Sequence, residues 1–228
     1  MKKLSYLLFL IVPLFLQSCG SSKITREKAY PAFYDEQRPL SIIVMPPINN
    51  TNNVDAKENF YITISRTLCE RGYYVVAPFL AMEMFQSESA YDAENFISAP
   101  LNQFREVTGA DIVLFTNIID WKKSGMRAKV IVTVEYILRS AVSNETIFQR
   151  TGTITYDKSV NTGVGGIGGL LANVAVSAVA TAAQSYLPVA GACNEVILSD
   201  VPAGKYNPSF DMDQSVIAGK KTVKRTVK

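Results

Sequence analysis

Between Leu40 and Ala77 the chain spells out a strand, a helix and a second strand in immediate succession, and this order restricts the fold more than any other feature. Leu40 to Met45 (Leu-Ser-Ile-Ile-Val-Met) is a continuous apolar run rich in β-branched residues and is stopped by Pro46-Pro47. Such a run suits a strand buried on both faces. Asp55, with Glu58 three positions on, resembles a capping box and opens a helix expected over residues 55–71. Ile62, Ile64, Leu68 and Cys69 recur near helical spacing, and Gly72 stands where a left-handed C-terminal residue belongs. Tyr73 to Ala77 is a β-prone run ended by Pro78. Together these segments make a βαβ unit, which calls for a right-handed crossover and parallel pairing.

Two further helices are expected at residues 78–88 and 100–108, the second opening at Pro100 and closing at Gly109. Ala110 to Ile118 reads as another apolar strand. From Ala128 to Leu138 the even positions are Ala, Val, Val, Val, Tyr and Leu while Lys129, Thr133 and Glu135 fall between them. That alternation predicts a strand with one wet face or a place at the sheet edge. Residues 145–156 supply an antiparallel partner across a turn at 140–144. The expected class is therefore α/β, a mixed sheet flanked by helices.

The N-terminus carries a different signal. Lys2 and Lys3 precede a 13-residue apolar run, Leu4 to Leu16, interrupted by Pro13 and followed by Ser18-Cys19. A basic start, an apolar middle shorter than the ~20 residues of a bilayer-crossing helix and a small residue before the cut make a secretory signal. Leu16-Gln17-Ser18-Cys19 further matches a lipoprotein signal, in which residues 1–18 are removed and Cys19 takes a thioether-linked diacylglycerol and an amide-linked chain such as palmitate. Several acyl chains anchor a protein where one is marginal. Gly20, rather than Asp, follows Cys19, which by resemblance to the enterobacterial sorting rule favours the outer membrane, with the domain facing the periplasm. Residues 19–39 then read as a lipidated tether.

Composition excludes several function classes. There is no histidine, which removes the commonest general base and metal ligand, and no paired-carboxylate or nucleophile motif stands in its place. An enzyme and a metal site are therefore not expected, nor is any cofactor besides the lipid on Cys19. The body of the chain shows no basic stripe of the kind nucleic-acid binding needs, and the net charge is only +3. It is concentrated at the end: from Lys205 onward six Lys/Arg stand against two Asp. Residues 209–228 read as a basic disordered tail able to touch anionic headgroups or an acidic partner. Cys69 and Cys193 could pair in an oxidising periplasm but make no recognisable disulfide framework, and buried free thiols are the preferred reading.

Candidate sites are few. Asn49, Asn50, Asn52 and Asn53 follow the first strand at its carboxyl end, where open α/β sheets place ligands, and form a candidate ligand-binding loop. Asp111, Asp120 and Glu135 fall on or beside strands, where solvation or a turn cap explains them, and Trp121 reads as an edge packing residue. Gly163 to Ala192 is free of charge over 30 residues. Gly163, Gly165 and Gly168 carry dinucleotide-fingerprint spacing, but no acidic residue stands about 20 positions on, as the fingerprint requires. Membrane insertion through Gly165-x-x-x-Gly169 is one reading. A helix whose Ala/Val face packs on the sheet or on a second copy, through Gly165, Gly169, Ala175 and Val179, is the preferred one.

Ile43-Val44-Met45-Pro46-Pro47-Ile48-Asn49-Asn50, Glu70-Arg71-Gly72-Tyr73-Tyr74-Val75, Gly109-Ala110-Asp111, the glycine-rich helix and Gly204-Lys205-Tyr206-Asn207-Pro208 together resemble one family. It is the bacterial lipoprotein family that includes a conserved neisserial surface antigen and whose domain is similar to the TolB N-terminal and curli-secretion-lipoprotein fold. The resemblance spans residues 40–208 and implies a self-associating, non-catalytic domain that accompanies other curli-secretion-type envelope lipoproteins. The expected function is an outer-membrane lipoprotein serving as a structural or assembly component of a cell-envelope secretion or transport complex. A periplasmic module binding a small ligand at the Asn loop for a transporter is the alternative.

Overall fold

The computed structural model describes residues 23–35, 38–87, 92–124, 129–159 and 186–228. Cys19 and the segment with Gly165, Gly169, Ala175 and Val179 lie outside them. In chain order the elements are α1 (Arg26–Ala29), β1 (Ser41–Val44), β2 (Ile48–Asn49), α2 (Ala56–Glu70), β3 (Tyr74–Val75), α3 (Pro78–Ser87), α4 (Asn102–Thr108), β4 (Ile112–Ser124), β5 (Lys129–Ser140), β6 (Thr146–Asp157), α5 (Leu187–Leu198) and β7 (Thr222–Val227). The strands form one mixed sheet in the order β3-β1-β4-β5-β6-β7, with β2 also paired to β4.

The expected βαβ unit is present: β1 pairs in parallel with β3 on one side and β4 on the other. All four β1 residues are buried, because helices cover both faces. Ile42 and Val44 join a core shared with α2 and α5, while Ile43 and Met45 join a second core under α3 and α4. Pro46 and Pro47 cannot donate to the ladder, so pairing stops there and resumes at Ile48, opposite Asn117. That short resumption, β2, replaces the first part of the expected loop.

α2 buries Ala56, Phe60, Tyr61, Ile64, Thr67 and Leu68. Its inner face is thus set by Phe60 and Tyr61, and Ile62 and Cys69, expected within the apolar set, point outward. The expected capping box is not formed: Asp55 has helical backbone angles and makes no side-chain cap bond, so its carboxyl is not placed as a cap requires. Gly72 is left-handed, with φ +88°. Its Cβ would collide with the backbone of Gly204 and Asn207, so a side chain is excluded on space as well as on φ.

β4 runs on to Ser124, past its expected end, through a bulge between Ile118 and Asp120. β5 lies between β4 and β6, so its alternation marks a wet face and not an edge. Val130, Val132, Val134, Tyr136 and Leu138 point into the core. Tyr136 donates to Asn194 Oδ1, and Asn194 donates to Thr63 Oγ1 at 2.9 Å, tying sheet, α5 and α2 together.

Both chain ends depart from expectation. Residues 209–228 are not a disordered tail: β7 pairs in parallel with β6 from Thr151–Thr222 to Tyr156–Val227, and Val223 and Val227 pack on the larger core. Residues 23–35 are not a free tether either. Arg26 N donates to Val216 O at 2.8 Å, Ala218 N donates to Ile24 O at 2.9 Å, and Phe33 is buried. Among the described residues no helix is long and apolar enough to cross a membrane.

Candidate functional site

The Asn loop is built around its own hydrogen bonds. Asn49 Oδ1 accepts from Thr51 N and Thr51 Oγ1 at 3.1 and 2.7 Å, and Asn49 Nδ2 donates to Asn53 O at 2.9 Å. Asn50 Nδ2 donates across to Asn117 Oδ1 at 2.7 Å. The bonds within the loop are the local side-chain bonds that Asn and Thr form in turns; they engage the amides of Asn49 and Asn50, while Asn53 Nδ2 is buried without a hydrogen-bond partner. Asn50 and Asn52 are exposed, and Asn49 and Asn53 are half-buried. The structure brings the four residues together as a turn that launches α2.

Beside this loop lies a groove of about 730 Å³ between α2 and α3. Tyr61, Ile62, Phe79 and Met82 form its apolar walls, and Lys57 and Glu58 stand at its polar end. Val54, Ile62, Phe79 and Leu80 are 88, 57, 72 and 61 % exposed. Val54 just before α2, Ile62 on α2 and Phe79 on α3 therefore form a cluster of large apolar side chains in water along the groove, whereas scattered single ones are ordinary. Sequence reasoning missed this surface because it assigned Ile62 to the core. The discriminating signal was present in Phe79-Leu80, two apolar residues adjacent in a helix, which cannot both face inward beside buried Ala81.

The acids behave as structural groups. Asp111 accepts from Leu40 N, Ser41 N and Ser41 Oγ at 2.9, 3.1 and 3.0 Å and from Arg105 at 2.7 Å. Burial pushes its carboxyl upward, but these hydrogen bonds together outweigh it and hold the pKa below the ordinary value. Asp120 pairs with Lys122, and Glu135 accepts from Gln149. Trp121 is not at an edge: it stacks edge-on against Phe60 and Tyr186, with ring centroids 6.2 and 5.4 Å away. Cys193 is buried, and burial pushes its thiol up; Cys69 is exposed, contrary to expectation, and both are free.

A second polar assembly, invisible in the sequence, gathers the two ends of the chain. Buried Asp213 accepts from Arg26 at 2.9 Å, Tyr34 Oη at 2.9 Å and Ala203 N at 2.9 Å, with Arg71 3.8 Å away. Buried Asp200 accepts from Tyr30 Oη at 2.6 Å and from Gly219 N. Burial, then the bonds to these carboxylates, push both tyrosine hydroxyls up, so they remain donors. Arg150 completes the group by donating to Lys220 O and Ile197 O at 3.0 and 2.9 Å. Among the described residues no cluster of Cys, Asp and Glu is arranged to hold a metal ion.

Residues 29–205 match the family model described as "Putative lipoprotein GNA1162-like". "Putative lipoprotein NMB1124/NMB1162" of Neisseria meningitidis serogroup B is 24% identical over 147 residues, covering 64% of this chain and 68% of that relative. Among solved structures, lipoprotein GNA1162 from Neisseria meningitidis superposes with a TM-score of 0.47 at 20% identity, over 64% of this chain and all of that one. A PelC dodecamer from Paraburkholderia phytofirmans gives 0.45 at 17% identity, over 78% of this chain and 89% of its own. At such scores nothing that those proteins do is carried over from their structures.

Proposed function

The chain belongs to the GNA1162-like lipoprotein family, and from that premise we propose that it is an outer-membrane lipoprotein, held through Cys19, whose domain is a non-catalytic assembly component of an envelope secretion or transport complex. The exposed apolar surface of Val54, Ile62 and Phe79 along the groove between α2 and α3 carries this reading. Anchoring confines the domain to a thin layer at the membrane, which raises its effective concentration for neighbours in that layer and turns weak contacts into stable ones. The occupant of the surface is a second copy of the chain. Groove walls of this kind gain from mutual burial at roughly 25 cal/mol per Å². The small-ligand reading would use the same groove, whose volume lies within the roughly 300–1,000 Å³ of ligand pockets, with Lys57, Glu58 and Gln86 as its polar contacts.

Light scattering on the mature Cys19→Ser chain tests the proposal. An oligomer that Ile62→Glu/Phe79→Glu converts to a monomer with unchanged circular dichroism is the expected result. A folded parent that is monomeric at high concentration overturns self-association. An oligomer unaffected by that pair but dissolved by Ala175→Glu/Val179→Glu moves the interface to the glycine-rich segment.

A further inference from the structure

We infer that the face formed by residues 23–28 and the start of β7 is a docking surface for anionic phospholipid headgroups. Lys23, Lys28, Lys220 and Lys221 line a single groove of about 900 Å³ over Tyr30 and Phe148. The four lysines come from opposite ends of the sequence and meet because the N-terminal segment is hydrogen-bonded to residues 214–218. From Gln214 to Lys228 the chain has five Lys/Arg and no Asp or Glu, and Lys224 and Arg225 continue the exposed basic run along β7.

Nearby carboxylates do not neutralise this face. Asp200 and Asp213 are buried and already accept from Arg26, Tyr30 and Tyr34, and none of the four lysines enters an ion pair among the described residues. Glu27 is the exposed acid on α1. It is one negative charge beside the four lysines that line the groove.

Position supplies the partner's identity. The inference rests on the lipoprotein reading for one point: with lipid on Cys19, Lys23 stands four positions after the anchor, a reach of at most about 14 Å. The basic groove is therefore held close to a bilayer surface, over a distance comparable to the ~8–10 Å range of unscreened attraction at physiological salt. A lysine brought to an anionic leaflet strengthens binding by about fivefold. The surface orients the domain, placing β7 towards the headgroups. A lysine-rich edge strand also resists pairing with another chain's strand, which leaves the edge available to lipid.

The test uses the mature chain with Cys19→Ser, so that the acyl anchor does not mask the effect, and measures sedimentation with vesicles of equimolar phosphatidylglycerol and phosphatidylcholine against phosphatidylcholine alone. Binding to the anionic vesicles only, weakening with added salt and falling about 25-fold in Lys220→Gln/Lys221→Gln is expected from two such lysines. Lys220→Arg/Lys221→Arg should retain it. Equal binding to both vesicles, binding unchanged in the Gln pair, or no binding by a chain with native circular dichroism overturns the inference. Mass spectrometry of wild-type Cys19 checks the lipoprotein reading separately: an unacylated Cys19 with charge-dependent vesicle binding leaves the surface standing and removes the anchor.

Discussion

At the scale of single residues, Asp111 shows how a carboxylate serves the fold instead of a reaction. It sits one residue before β4 and accepts from Leu40 N and Ser41 N at the entrance of β1, so it fixes where the two parallel strands begin to pair. Its pKa is depressed, so the stability it contributes is fully present above the ordinary carboxyl value and is lost as the pH falls below about 4 through the depressed one. Asp111→Asn should cost about 1–3 kcal/mol at neutral pH and flatten the acid limb of stability, measured by urea unfolding between neutral pH and pH 3. An unchanged acid limb would show that the carboxylate does not couple the strands. The residue was visible in the sequence but its role was not, because its partners lie 70 and 71 positions away and only the register of β1 on β4 brings them in. In the Asn loop, composition pointed to ligand chemistry, and the structure adds a local role: Asn49 bonds Thr51 and Asn53 within the turn that leads into α2.

Elements were legible where one residue pattern decided them. β1, α2 and the β5–β6 hairpin follow from apolar runs, helical spacing and alternation, all of which are local. β7 was not. Thr-Val-Lys-Arg-Thr-Val carries charge and only two inward valines, so its strand character comes from pairing with β6 and not from its own burial. Lysine and arginine are also what an edge strand carries to remain unpaired on its outer side. This makes the element testable. Removing residues 222–228 deletes the ladder opposite Thr151 to Tyr156 and exposes the core beneath Val223 and Val227. Half-burying two valines and losing several sheet hydrogen bonds should lower stability by at least about 2 kcal/mol, read as a lower urea midpoint. A disordered tail would leave that midpoint unchanged.

Across the whole molecule, the first and last described segments are joined to each other before they are joined to the sheet. Arg26 near the start, Asp213 near the end and Arg71 after α2 meet at one buried site. Asp200 and Arg150 then connect that site to Gly219, Lys220 and β6. On the proposed lipidation of Cys19, a pull on the lipid would enter the domain through this site, because Arg26 and Tyr30 hold the first described segment. Removing one partner from a buried ionic group is strongly destabilising, since the others are left charged and unpaired. Asp213→Ala leaves the Tyr34 hydroxyl and Ala203 N without their acceptor and takes from Arg26 the nearer of its two carboxylates, Asp200 remaining 3.5 Å away, and should cost about 3–5 kcal/mol. The loss should be unevenly distributed. Hydrogen exchange would show residues 23–35 and 214–221 opening first, while the β4–β5–β6 amides, bonded within the sheet and covered by α2 and α5, keep their protection relative to the lowered global stability. Uniform loss of protection would mean that the ends and the sheet unfold as one unit. Selective opening would establish the carboxylate pair as the fastening between residues 23–35 and the sheet.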